Sequence, residues 1–407
     1  MNRARQIYQE YPRDFWMMIF VNFVDRLGGS LLFPFFALYI TKRFSVGMTE
    51  VGGLFAIFFI SGFIGAFPGG ALTDRFGRKG IIIFSLIATS FSTLFMGFVN
   101  EFQFFLIVAF ISGIFTDVGG PAYEAVFMDM LPEEKRASGF GIRRVAFNLA
   151  IVIGPVIGGF IAARSYLALF ICDAVVSAIV ALLVFWLIPE TKPTAPEGKE
   201  QESTVETFRG YQRVLQDGRF MAFTLVCLLT WLVYMNMNTT LGVFLRDQHG
   251  LPESGYGSLI SINAAMVVLF QFSITRRIEK RPPMLMMALG VFFIALGLFL
   301  YGFVSTFLWF AVAMALLTVG EMVTVPIANA VVANFSPEEM RGRYNFIYGN
   351  SWGISFAVGP YLAGLVLDHY NPNWLWYACG IIGMIAILGF LLLHWTTQTK
   401  SVLLTQE

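Results

Sequence analysis

The chain has 407 residues, 57% hydrophobic and only 13% charged, where a soluble domain carries about 25% charge; its net charge is +1. So little charge cannot cover a water-facing surface, and so even a balance excludes a polyanion such as nucleic acid as partner. Three His argue against a metal enzyme, and Cys172, Cys227 and Cys379 sit in apolar runs with no CxxC spacing, as packing residues rather than ligands or disulfides.

A helix crossing a bilayer needs about 20 mostly apolar residues. Twelve stretches qualify: 15–40, 49–72, 80–99, 102–128, 138–163, 166–188, 219–245, 254–277, 283–303, 306–332, 342–367 and 374–395. The apolar runs are continuous and long, which fits helices and not the alternating strands of a membrane barrel. The fold class expected is therefore an all-α polytopic membrane protein. The opening MNRARQIYQEYPRDFW leads into an apolar run too long for a signal-peptide core, and reads as a retained first helix. Between the sixth and seventh spans lies the longest polar segment, 189–218. Its first part is rich in Pro, Glu and Lys, and Thr204 to Leu215 can form a short helix on the inner membrane face.

Orientation follows from Lys and Arg in the loops. With both termini cytoplasmic, 20 of the 27 fall inside, four (Lys42, Arg43, Arg164, Arg246) outside, and Arg26, Arg143 and Arg144 within spans. The organisation expected is a cytoplasmic N-terminus (1–14), a six-helix bundle (15–188), a cytoplasmic linker (189–218), a second bundle (219–395) and a cytoplasmic tail (396–407). The halves repeat at an offset of 205. Pro121 meets Pro326, and Pro132, Glu133, Glu134 and Arg136 meet Pro337, Glu338, Glu339 and Arg341. Gly154, Pro155 and Gly159 meet Gly359, Pro360 and Gly364, and Asp74 and Arg75 meet Glu279 and Lys280. One constant offset points to a duplicated bundle with a pseudo-two-fold axis along the membrane normal.

The loop GALTDRFGRK, 70–79, between the second and third spans, resembles the signature loop of the major facilitator superfamily, G-x-L-x-D-R-x-G-R-K. GPVIGG, 154–159, resembles the G-P-x-x-G-G motif of its drug:proton antiporters, and GEMVTVP, 320–326, is similar to an acidic motif of its multidrug antiporters. The resemblance covers the whole chain. It implies two pseudo-symmetric six-helix bundles in the cell inner membrane, working by alternating access with a proton gradient as energy source and no cofactor. It departs in one place: many antiporters carry an Arg in the fourth span ahead of a glycine, whereas LIVAFISGIFTDVGGPA has none, so that residue's role does not carry over.

A charge at mid-bilayer costs about 2.5–3.5 kcal/mol on insertion scales, so each one needs a reason. Asp25 and Arg26 stand about ten residues, or about 15 Å, into the first span, pointing about 100° apart. Glu321 lies about 18 Å from the inner end of the tenth span, with Asp117 at a similar depth in the fourth. These four are the candidate proton-coupling or cargo residues. Buried carboxyls exchange protons near neutrality, so an acid can attract a cation when ionised and release it when protonated. Each can also be a neutralised packing group. Glu124 matches Arg143 and Arg144 in depth, which favours a structural ion pair. Asp173, in the sixth span, is open to either reading. Phe35, Phe36, Tyr39, Tyr123, Trp231, Tyr234, Phe244 and Trp352 offer aromatic surface for lipophilic or cationic compounds, or simply core.

Gly154-Pro155 and Gly359-Pro360 are expected to bend the fifth and eleventh spans. Gly70, Asp74, Arg75, Gly77, Arg78 and Asp129 form a candidate latch. Asp74 and Arg78 pair if the helix continues between them, with Asp129 a second partner for Arg78. In the resembled family this loop packs near the start of the eleventh span, where Asp74 would face the helix end near Gly342. The function expected is proton-coupled efflux of hydrophobic or cationic small molecules by a monomer in contact with membrane lipid. The rivals are an importer or flippase of peptides, sugars or lysolipids, and a transporter-like receptor without flux. No nucleophile–base or metal constellation points to an enzyme.

Overall fold

The computed structural model describes residues 8–190, 204–278, 280–337 and 340–404. The Pro/Glu/Lys-rich part of the linker and three acids of the repeat (Glu279, Glu338, Glu339) lie outside the described residues. Helices α1 (Arg13–Leu32) and α2 (Phe36–Phe44) are joined by a 3-10 turn at Phe33–Phe35. Then come α3 (Met48–Phe76), α4 (Arg78–Phe98), α5 (Phe102–Val118), α6 (Gly120–Asp129), α7 (Glu133–Ala162) and α8 (Tyr166–Leu187). The linker helix α9 is Thr204–Gln216. After it run α10 (Gly218–Tyr234), α11 (Asn236–Thr239), α12 (Leu241–His249), α13 (Glu253–Ile278), α14 (Pro283–Leu300), α15 (Phe307–Phe335), α16 (Arg341–His369) and α17 (Asn373–Leu404).

Among the described residues, 11 helical segments are long and apolar enough to cross a membrane. The first joins α1 to α2, and the fourth joins α5 to α6 as Phe102–Asp129, broken at Gly119 ahead of Pro121. Proline lacks an N–H and fixes φ, so both breaks fall where the sequence removes a helical hydrogen bond. The eleventh expected span, 342–367, is the 29-residue α16 and is the one missing from these 11. It is long enough but more polar, because Arg343, Asn345, Asn350, Ser351 and Ser355 lie along it. Large apolar side chains such as Phe91, Trp186 and Phe272 are 70–76% exposed, as lipid-facing surface requires.

The chain forms two compact units: the described residues of 1–46, 54–197 and 250–264, and those of 47–53, 198–249 and 265–407. In unit 1, Phe15, Val126, Phe127, Ile82 and Val184 are fully buried together. In unit 2, α9 docks through Tyr211 on Phe346 (5.5 Å between rings), and Tyr344 donates to Asp217, whose other oxygen caps α10 at the Phe220 N–H. The expected inner-face helix is thus tied to α16.

The 205-residue repeat reappears in the packing. In unit 1 a Cβ at Gly257 would overlap the Pro155 carbonyl, and one at Gly159 would touch Glu253 and Ser254. In unit 2 a Cβ at Gly52 would overlap Pro360 and Tyr361, and one at Gly364 would overlap Met48 and Thr49. Adding 205 to each residue of the first set, or subtracting it, lands on the second. Glycine is required where backbones approach this closely.

Candidate functional site

In unit 1, α1 carries Asp25 and Arg26. Asp25 is half-buried; Arg26 is exposed and lays its guanidinium over the Phe147 ring at 5.7 Å. One turn beyond Asp25 stands Gly28, where a Cβ would come to 3.4 Å from Asp173 Oδ1. The i, i+3 spacing puts Asp25 and Gly28 on one face of α1, so the buried Asp173 of α8 is brought beside Asp25. Thr93 of α4 hydrogen-bonds Asp173. The Tyr123 hydroxyl of α6 is buried, lies in the field of Asp25, and has no hydrogen-bond partner among the described residues.

The other unit 1 candidates fall elsewhere. Asp117 is exposed and faces Gly62 of α3, where a Cβ would collide with its Oδ2. It sits in the α3–α5 contact, which Gly65 and Gly113 also let close against Ile114 and Ser61. Arg143 Nη2 donates to Glu124 Oε1 at 2.8 Å and sits over the rings of Phe127 and Phe140 at 4.7 and 4.8 Å. Arg144 points away, exposed, with no ion pair among the described residues. The Glu124–Arg143 pair thus belongs to a phenylalanine cage.

In unit 2, Glu321 lies half-buried on α15 and takes a hydrogen bond from the Tyr234 hydroxyl of α10. Tyr234, Trp231 and Trp352 form an aromatic cluster with ring centroids 5.1–6.0 Å apart. Pro326 cannot donate to the Met322 carbonyl four residues back. Gln271 Nε2 of α13 supplies that hydrogen bond at 2.9 Å, fixing α13 to α15 beside Glu321. Of the aromatic residues proposed from sequence, Phe35, Phe36, Tyr39, Trp231, Tyr234 and Phe244 are at 5% exposure or less, because large rings fill the helix contacts first, while Trp352 stays 42% exposed.

At the 70–79 loop, Gly77 has φ +89°, a conformation that favours glycine, and it separates α3 from α4. The helix does not continue, so the i, i+4 geometry expected for Asp74 and Arg78 is not formed. The side chains of Gly70, Asp74 and Arg75 lie outside the described residues. Arg78 is buried and pairs with Asp129, and its Nη1 donates to the Ala125 carbonyl at 3.3 Å. Its backbone N–H donates to Glu190 Oε1 at 2.9 Å. Glu190 escaped the sequence reading, though it directly follows the sixth span on the side of the chain predicted to hold this loop. A carboxylate at a helix N-terminus offsets the orphan amides and the dipole there.

Gly154 and Pro155, with Gly359 and Pro360, lie inside α7 and α16, which continue on both sides. A Cβ at Gly154 would overlap Ser30, whose hydroxyl donates to the Ala150 carbonyl at 3.0 Å, so this glycine is needed for close packing on α1.

Among the described residues only helices and turns occur, and carboxylates and a guanidinium are held among membrane-length helices, which is the architecture of a polytopic membrane protein. The family model of the Major Facilitator Superfamily matches residues 18–360 and again 319–407, and the chain belongs to that family. It is 26% identical to a Na(+), Li(+), K(+)/H(+) antiporter of Planococcus maritimus, over 95% of this chain and 96% of that protein. It is 24% identical to the multidrug resistance protein MdtH of Shigella flexneri, over 95% and 94%. Among solved structures it is similar in fold to the nucleoside transporter NupG, with a TM-score of 0.79 at 12% identity over 94% of this chain and all of that one.

Proposed function

We propose that this protein is a proton-coupled exporter of lipophilic or cationic compounds, working by alternating access as a monomer in the cell inner membrane with both termini cytoplasmic. The observation that carries the reading is Glu321, set beside Trp231, Tyr234 and Trp352 and hydrogen-bonded by Tyr234. Aromatic faces attract organic cations, and a carboxylate among them adds a charge that one proton can cancel. Ionised, Glu321 holds the cation; protonated, it lets go, and the proton travels inward as the cargo travels out. The similarity to an antiporter and to a multidrug resistance protein supports the same reading. The proton gradient supplies the energy and no cofactor is needed.

The test uses proteoliposomes with an imposed pH gradient and a lipophilic dye cation such as ethidium. Gradient-driven uptake or extrusion is expected with the wild-type chain and is lost in Glu321→Gln. No flux with any lipophilic cation, or unchanged flux in Glu321→Gln, overturns the proposal.

A further inference from the structure

The interior of unit 1 holds a second chemistry that the cargo reading does not use. Asp25 and Asp173 come from helices α1 and α8 and meet on one face of α1, at the Gly28 gap. Two hydroxyls accompany them. Thr93 hydrogen-bonds Asp173, and the buried Tyr123 hydroxyl sits in the field of Asp25 with no partner among the described residues. A hydroxyl stripped of water and left unpaired costs about 1–3 kcal/mol, so the Tyr123 hydroxyl in the field of Asp25 calls for something to bind there.

Oxygen is the only donor in this set, and oxygen ligands suit hard cations rather than thiophilic metals. The charge balance then selects among hard cations. Arg26 adjoins Asp25, so two carboxylates and one guanidinium leave a single net negative charge. A divalent ion would leave an excess positive charge between membrane helices, which is costly; a monovalent ion leaves none. Access also differs between the acids. Asp25 keeps solvent-accessible surface whereas Asp173 is 9% exposed, so an ion reaching Asp25 would be received by Asp173 behind it.

We propose that Asp25, Asp173, Thr93 and Tyr123 form a binding site for one alkali-metal cation, for which protons compete. The site concerns the coupling ion of the transporter proposed above. Its test is read on the protein without cargo, so it fails separately from that reading.

Thermal unfolding of the purified full-length protein in detergent is compared in sodium, lithium, potassium and choline chloride at matched ionic strength. At alkaline pH at least one alkali cation should raise the unfolding midpoint saturably above choline. The rise should shrink in mildly acidic buffer, where protons occupy the pair. Asp173→Asn and Asp25→Asn should each abolish it, whereas Glu321→Gln, in unit 2, should keep it while losing dye flux. The second measurement needs no variant: adding the chloride of the alkali cation that raises the midpoint most to weakly buffered wild-type protein should release protons, and choline chloride should not. Equal midpoints in alkali and choline salts, an alkali effect that persists in Asp173→Asn, or no cation-specific proton release overturns the site.

Discussion

The two units share a frame and differ in their lining. At one offset of 205, Gly159 and Gly257 of unit 1 repeat as Gly364 and Gly52 of unit 2, against equivalent backbone. The interior side chains do not repeat. Unit 1 gathers Asp25, Arg26, Asp173, Glu124 and Arg143 among its helices; unit 2 offers Glu321 set among aromatic rings. Close backbone approach can be met by glycine alone, so it constrains both copies alike. A lining side chain carries no such backbone constraint, so the two copies are free to differ there.

The tightness of the two glycine contacts is itself unequal, and this is the easiest point to break. At Gly364 an added Cβ would overlap backbone atoms, which cannot swing aside, whereas at its counterpart Gly159 the nearest atoms are 3.2 Å away; Gly52 and Gly257 both overlap backbone. Gly364→Ala should cost about 3 kcal/mol and broaden the monodisperse peak in size-exclusion chromatography. Gly159→Ala should cost about 1 kcal/mol or less in thermal unfolding. The reverse ranking would show that unit 2 is not the tighter copy at this pair of contacts.

The next effect separates the linings. Trp231→Ala should weaken binding of a lipophilic cation by about tenfold, or about 1.4 kcal/mol, measured by dye fluorescence titration. Phe147→Ala, which removes the ring under Arg26 in unit 1, should leave that affinity unchanged. Equal losses would place the cargo contacts in both units.

Smaller differences come from polar contacts beside the glycines. Asp368 accepts hydrogen bonds from the Met48 and Thr49 amides at 2.9 and 2.7 Å, capping α3 within unit 2. In unit 1, Lys42 Nζ stands 3.4 Å from Glu253, which also accepts a 2.7 Å hydrogen bond from Tyr166. Asp368→Ala should cost about 1 kcal/mol as a lost cap. Lys42→Ala should cost about 0.5 kcal/mol or less, since Lys42 is mostly exposed, and high salt should erase the difference.

The smallest effect is a pH dependence in unit 2. Burial against Phe244 and Phe310 holds the His249 imidazole below its usual 6.5, so the folded form keeps it neutral. Its stabilisation is full above the unfolded value and is lost as pH falls through 6.5 toward the lowered one. His249→Gln should flatten the acid side of a plot of unfolding midpoint against pH, and an unchanged plot would remove His249 from the account.

Much of this molecule was legible in one dimension. Long apolar runs can satisfy their backbone in lipid only as helices, so the spans follow from composition and length. The offset of 205 exposed the duplication, because proline and glycine keep their positions where backbone geometry demands them. The depth match of Glu124 with Arg143 could be read from residue counts on antiparallel spans. Tertiary structure decided what depends on helix rotation and on neighbours far along the chain. It turned Asp117 toward Gly62, brought Asp173 through the Gly28 gap to Asp25, and set Tyr234 on Glu321. It also gave Arg78 its partners, Asp129 and Glu190. A sequence records how deep a charge lies along its helix, but only packing records which neighbour it faces.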